Sequence, residues 1–104
     1  RRPVAKRFSV GWTFLTPHGQ VLLCIAADPG VRLEQIGAEV EITEAAARGI
    51  VDELADAGYI TRETTDQGTR YTVNSDLPLP DRIARDQNVG VLVELLVRRR
   101  RDQE

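Results

Sequence analysis

Apolar residues recur at helical spacing in three segments of the first sixty positions. The run VLLCIAA belongs to a first helix, which begins at Thr16-Pro17 and ends at Asp28-Pro29-Gly30. The segment LEQIGAEV, residues 33–40, predicts a short second helix. Thr43 can cap a third helix, TEAAARGIVDELADAG, that a left-handed Gly58 would close.

A change of pattern after Gly58 predicts β-structure. Residues 59–73 contain two β-rich runs on either side of Asp66-Gln67-Gly68, which is typical of a β-hairpin. Val31-Arg32 is a candidate for one very short additional strand. Asp76-Leu77-Pro78-Leu79-Pro80 predicts a rigid linker, because proline breaks both helices and strand ladders.

A last helix is predicted from about Asp81 to Arg101. Residues 89–97 are apolar around nearly the whole circumference of this helix, so they need cover on more than one side. The helix could fold back onto its own domain or pair with a second copy, and its composition favours both packings together.

These elements predict one α+β domain that is mostly α. We expect a basic arm over residues 1–15, a folded unit over 16–75, the linker over 76–80 and the terminal helix over 81–104. In the arm, the aromatic residues Phe8, Trp12 and Phe14 are expected to pack on the body of the domain.

Composition excludes several classes of protein. The only cysteine, Cys24, allows no intrachain disulfide and favours a reducing compartment, and its apolar surroundings predict burial. With His18 as the only histidine, a Cys/His zinc site has too few ligands, and no cofactor is predicted. No apolar stretch approaches the roughly 18–20 residues of a membrane span, and no signal core follows the basic start, which predicts a cytoplasmic protein.

Catalytic motifs are missing from the sequence as well. The serines are Ser9 and Ser75, no Ser/Cys-His-acid set is recognised, and no glycine-rich phosphate loop follows a strand. We therefore expect no enzyme.

Charge is nearly balanced overall but is unevenly distributed. The chain has 14 Lys+Arg and 16 Asp+Glu, and a pI near 5.4 argues against a general polyanion binder. Residues 1–27 contain four bases and no acid, whereas residues 28–60 contain two bases and eight acids. The run Arg98–Arg101 could complement the dipole of the terminal helix, bind phosphate, or pair with an acidic surface of a second subunit.

The order helix, short strand, helix, tight turn, helix, hairpin is that of a winged helix-turn-helix domain. The segment RLEQIGAEVEITEAAARGIVDELADAGYITRETTDQGTRYTV resembles the DNA-binding core of MarR-like and ArsR-like transcriptional regulators, and the resemblance covers roughly residues 12–75. Its most specific parts are the apolar run from Ile36 to Leu54, the segment Ala57-Gly58-Tyr59-Ile60 that follows the third helix, and the hairpin ending Arg70-Tyr71. The small residue Gly37 fits the family too, because the two helices cross closely there. Glu41 departs from the pattern, because the family usually has glycine in the turn and a left-handed glutamate costs about 1 kcal/mol.

The resemblance implies a homodimeric transcriptional regulator that binds double-stranded DNA. The third helix would enter the major groove and the hairpin, or wing, would reach the backbone or minor groove. The DNA-binding residues implied in this way are Thr43, Glu44, Ala45 and Arg48 on the helix, and Arg62, Gln67, Thr69 and Arg70 in the wing.

Structural alternatives exist for these residues. Arg48 could have no role beyond an ion pair with Glu44 or Asp52 at i,i±4 spacing. Arg70, Gln67 and Thr69 could be ordinary strand and turn residues. His18 is expected to be a solvated side chain without a role. The acidic third helix and the low pI also motivate a second hypothesis, a winged-helix module that has lost DNA binding and docks a protein partner.

Overall fold

A computed structural model describes residues 11–97 of the chain, so the predicted basic segments 1–10 and 98–104 lie outside the described residues. Three helices come first: α1 Pro17–Ala27, α2 Leu33–Val40 and α3 Glu44–Asp56. An antiparallel hairpin follows, formed by β1 Ile60–Thr65 and β2 Gly68–Val73. The last helix, α4 Val89–Leu92, continues as a π-helical segment, Val93–Val97. The predicted α+β class, with helix predominant, is confirmed.

The ends of the helices follow the sequence signals. The Thr16 hydroxyl accepts from Gly19 N–H at 3.2 Å and the Thr43 hydroxyl accepts from Ala46 N–H at 3.0 Å, so both predicted N-caps are confirmed. α1 stops at Asp28. Gly58 lies just after α3 with φ of +90°, the positive value that was predicted for it.

The junction between α2 and α3 is closed by two special residues. Glu41 has φ 66° and ψ 46°, so a non-glycine residue occupies the left-handed turn, as the family resemblance implied. Gly37 lies so close to the turn that a Cβ atom there would be 2.7 Å from the Ile42 carbonyl oxygen. The expected close crossing of the two helices is therefore confirmed, and it is fixed by backbone contact.

The core draws side chains from every element of the fold. Its buried members are Val21, Leu22, Cys24, Ile25, Ile36, Ala47, Val51, Leu54, Ile60, Tyr71 and Val89. Burial of Cys24 agrees with the prediction. None of the helices within residues 11–97 is long and apolar enough to cross a membrane.

The hairpin is joined by a two-residue loop, because Thr65 pairs with Gly68 across Asp66-Gln67. The same register pairs Arg62 with Tyr71 and Glu63 with Arg70. Successive residues of a strand point to opposite faces, so Arg62 shares the inner face with buried Tyr71 while Arg70 belongs to the outer face.

The short strand predicted at Val31-Arg32 is not formed. One backbone hydrogen bond, from Tyr71 N–H to the Pro29 carbonyl at 2.9 Å, joins this loop to the hairpin. The Val31 N–H donates to the Asp28 carbonyl and the Arg32 N–H donates to the Gln35 side-chain oxygen, both at 2.9 Å, so the two backbone donors of the predicted strand are used within the turn and the helix start.

The predicted start of the last helix at Asp81 is wrong, since helical structure begins at Val89. Leu79 N–H donates to the Gln87 carbonyl and Val89 N–H donates to the Leu77 carbonyl, both at 2.9 Å. These bonds hold residues 77–79 beside 87–89 and leave 80–86 as a closed loop. Asn88 then caps the helix, with its side-chain oxygen 3.3 Å from Val91 N.

The terminal helical stretch does fold back onto its own domain, as one of the two predicted packings requires. Val89 and Val97 are buried at i,i+8 spacing, and Val93 packs partly against the core. Val91, Leu95 and Leu96 are exposed on the other side, with Leu95 at 61% of its full accessible area. Half of this apolar helix therefore remains uncovered by residues 11–97.

The expected packing of the arm aromatics on the body is wrong for Trp12 and Phe14, and Phe8 lies outside the described residues. Phe14 is 91% exposed, and the two rings contact each other edge to face with centroids 5.1 Å apart. Residues 12–14 precede the N-cap of α1, and neither ring belongs to the core cluster.

Candidate nucleic-acid interface

The first turn of α3 presents side chains to solvent. Thr43, Glu44, Ala45 and Arg48 are all exposed, as their predicted role requires. Thr43 uses an oxygen lone pair as the helix cap and keeps its hydroxyl proton free to donate. Backbone N–H groups at this end and the helix dipole favour an anion.

A groove separates this turn from the hairpin. It has a volume of ≈ 560 Å³ and is lined by Glu44, by Gln67 and Thr69 of the hairpin, and by residues 30–34, which form the loop before α2 and the start of that helix. A neighbouring groove of ≈ 480 Å³ shares Gly30, Gln67 and Thr69 and adds Arg70. The structure thus brings four of the eight predicted residues to one region: Glu44, Gln67, Thr69 and Arg70.

Arg62 is held elsewhere. Its Nη1 atom donates to Asp52 Oδ1 of α3 at 2.6 Å, and its side chain lies on the inner face of the hairpin. Arg70, on the outer face, approaches Gly30 instead. The two wing arginines were predicted to reach DNA together, but the register of the hairpin directs them to opposite sides.

Arg48 makes no ion pair within residues 11–97, so the alternative in which it pairs with Glu44 or Asp52 is not observed. Asp52 lies one turn after Arg48 on α3, but its carboxylate binds Arg62. Sequence spacing favours partners within one helix, and it gives no signal for a partner ten residues away on a strand.

His18 has a contact that the sequence did not predict. Its Nε2 atom lies 2.5 Å from Glu53 Oε1, and this hydrogen bond links the first turn of α1 to the middle of α3. The side chain is half-exposed, in agreement with the expected solvation, but nothing in the sequence indicated this contact. The partners are 35 positions apart, which is beyond the reach of any local pattern.

Tyr71 lies between the hairpin and α3 with 6% of its surface exposed. Burial raises the pKa of its hydroxyl above the usual 10.0, the positive charges of Arg62 and Arg48 lower this pKa in part, and Asp52 adds to the increase. The three charged groups therefore all influence one hydroxyl at the contact between hairpin and helix.

The charge of the described residues is strongly negative. Residues 11–97 contain six arginines and fourteen carboxylates, and α3 has Arg48 as its only base against Glu44, Asp52, Glu53 and Asp56. Eight of the fourteen cationic residues lie in segments 1–10 and 98–104. Attraction of a polyanion therefore depends on the two ends of the chain.

No group of three or more His, Cys, Asp or Glu side chains within residues 11–97 is arranged to hold a metal ion. The chain matches no protein-family model. No curated protein is significantly similar to it either.

Proposed function

We propose that this protein is a winged helix-turn-helix transcriptional regulator that binds double-stranded DNA in the cytoplasm, and that it acts by binding and not by catalysis. The observation that carries the proposal is the exposed, Thr43-capped first turn of α3, which faces a groove shared with the hairpin. α3 would lie in the major groove, about 12 Å wide, and the hairpin would follow the backbone or the minor groove.

Three features support this arrangement. α2 and α3 are joined by a tight turn at Glu41 and approach closely at Gly37, which gives a rigid helix pair. The hairpin follows α3 directly, so its loop flanks the same first turn. Arg48 is exposed and has no ion pair among residues 11–97, so it is available to a guanine or a phosphate.

The test is a selection from a random double-stranded DNA library, followed by polarisation titrations at several salt concentrations. A regulator should enrich a defined site, and its affinity should fall steeply as salt rises because counterions are released. Replacing Arg98–Arg101 with glutamines should weaken binding to all sequences and flatten the salt dependence, since these residues supply cations that the body lacks. Failure to enrich any site at low salt would refute the proposal.

Glu44 allows a sharper test of base recognition. A carboxylate in the first turn can accept a hydrogen bond from a cytosine amino group, whereas it repels phosphate. If Glu44 reads cytosine, Glu44→Gln should relax the preference at one base position. A uniform gain in affinity for all sequences would show that the carboxylate only repels.

We propose that the regulator is a homodimer paired through the uncovered side of α4 and Val93–Val97. Val91, Leu95 and Leu96 are exposed there, and a second copy would bury them and place two α3 helices on half-sites about one helical turn apart. Leu95→Lys should give a monomer by analytical ultracentrifugation. Ile83→Lys changes an even more exposed side chain, in the loop 80–86, and should leave the dimer intact.

The acidity of α3 favours a second candidate, a winged-helix module that docks a protein partner. Its four carboxylates and single arginine would suit a basic protein surface better than a phosphate backbone. Recovery of a stoichiometric protein partner, together with no enrichment of DNA, would favour this function over the first.

A further inference from the structure

The ion pair between Arg62 and Asp52 joins two elements of the proposed DNA interface. Arg62 belongs to β1 and Asp52 to the middle of α3, and their side chains are 41% and 49% exposed. The Nη1–Oδ1 distance of 2.6 Å is that of a charge-assisted hydrogen bond. The pair therefore lies at the surface, where its members can exchange partners.

Asp52 has a second arginine within reach. Arg48 precedes it by four residues on α3, and residues at this spacing are neighbours on one helix face. Arg48 and Arg62 also act on the same Tyr71 hydroxyl, whose ring lies at the contact between α3 and the hairpin. Asp52 thus has two candidate arginine partners, and in this structure it binds the one on the hairpin.

Arg62 is poorly placed to contact DNA itself. It pairs across the hairpin with buried Tyr71, on the face that packs against α3, and its guanidinium is bound to Asp52. Arg48, in contrast, is well placed to contact DNA, because it is exposed in the proposed recognition helix and forms no ion pair with a carboxylate within residues 11–97.

We propose that Arg62 is a positioning residue, which by binding Asp52 keeps this carboxylate away from Arg48 and so leaves Arg48 available to DNA. The inference rests on the proposed function and reassigns Arg62, which the sequence resemblance implied as a direct contact. Without Arg62, the Asp52 carboxylate pairs with Arg48 along the helix and withdraws it from the nucleic acid.

DNA affinity of four variants tests the proposal, measured by polarisation on the selected site. Arg48→Ala should weaken binding about tenfold. Arg62→Gln should weaken it about twofold, because a solvent-exposed i,i+4 pair between Arg48 and Asp52 competes only weakly with DNA. The double variant R48A/R62Q should bind no more weakly than R48A, because both changes remove the same contact. Adding Asp52→Asn to R62Q should restore most of the affinity, since the carboxylate released by the loss of Arg62 is then no longer there to capture Arg48.

Asp56→Asn in the R62Q background is the matched control. Asp56 carries the same charge one turn farther along α3, is exposed, and has no ion pair within residues 11–97. It should restore little affinity. Equal rescue by D56N and D52N would show a general charge effect and overturn the proposal, as would losses that multiply in R48A/R62Q. Far-UV circular dichroism should show that each variant retains the fold.

A measurement without DNA separates this inference from the proposed function. In NMR spectra of the arginine Nε–Hε groups, the Arg48 signal should exchange more slowly with water in R62Q than in the wild type, and D52N should reverse the change. An Arg48 signal that does not respond to R62Q overturns the inference, whether or not DNA binds. If it responds but the wild type binds no DNA, the proposed function fails and the exchange of partners stands.

Discussion

Helix α3 is attached to its two neighbours by different kinds of contact. Toward α2 the attachment is steric, since the Ile42 carbonyl occupies the space where a side chain at Gly37 would begin and Glu41 is held in a left-handed conformation. Toward the hairpin, buried Ile60 and Tyr71 are supplemented by a half-exposed ion pair. Steric contact allows one arrangement, whereas a surface pair can be broken and reformed at small cost. The helix pair is therefore the rigid part of the interface and the hairpin the adjustable part.

The largest effect should come from overfilling the rigid junction. Gly37→Ala places a methyl group 2.7 Å from the Ile42 carbonyl, and we expect a loss of about 1–3 kcal/mol in the free energy of unfolding. Gly49→Ala is the control, because a Cβ there meets nothing within 4 Å in the same helix pair and alanine should gain about 1 kcal/mol. Urea denaturation measures both. Equal gains for the two variants would mean that the junction is not sterically fixed.

The strained residue of the same junction predicts a change of opposite sign. Glu41→Gly relieves a positive φ that L residues rarely adopt and should raise stability by about 1 kcal/mol. Glu41→Ala removes the carboxylate but leaves the backbone strain, so its unfolding midpoint in urea should remain close to that of the wild type. A gain for alanine equal to that for glycine would assign the effect to charge.

The ion pair that joins the hairpin to α3 should contribute little to the free energy of unfolding. Arg62→Gln should cost about 0.2–1 kcal/mol, because both partners are half-exposed. The loss, measured by thermal unfolding, should shrink as salt is added. A loss of several kcal/mol that does not depend on salt would contradict the comparison, since the hairpin would then be as rigidly attached as α2.

The last prediction concerns the pH dependence of stability in alkaline solution, which reports on the packing between the hairpin and α3. The pKa of Tyr71 is raised by burial, so above about pH 10 the unfolded chain loses this proton before the folded protein does. Stability should therefore fall as pH rises through this range and be unaffected below it. Tyr71→Phe should remove that part of the decline, which urea titrations between pH 8 and pH 11 would detect.

Local signals in the sequence predict the two ends of α3. Thr43 and Gly58 follow from spacing and residue type, because caps and left-handed turns depend on a few consecutive residues. The bounds of α2, α3 and the hairpin follow from the same kind of pattern. The close approach at Gly37 and the left-handed turn at Glu41 are implied by the family resemblance.

Contacts between distant positions account for the errors. Residues 81–88 were assigned to a helix, but bonds between Leu79 and Gln87 and between Leu77 and Val89 take up backbone groups at both ends of the loop. The pairs Arg62–Asp52 and His18–Glu53 likewise join different elements, which no periodicity predicts. The adjustable parts of the candidate site were thus the least predictable.

The closed loop at 80–86 offers a point of attachment for a reporter. Its ends are held together by backbone hydrogen bonds, and the Tyr59 hydroxyl donates to the Pro78 carbonyl at 2.7 Å. A change of side chain at the tip should therefore leave the closure of the loop unchanged. Ile83 at the tip is 96% exposed, and the chain's single thiol, Cys24, is buried. A cysteine introduced at position 83 would accept a fluorophore selectively and follow the protein in solution without touching α3 or the hairpin.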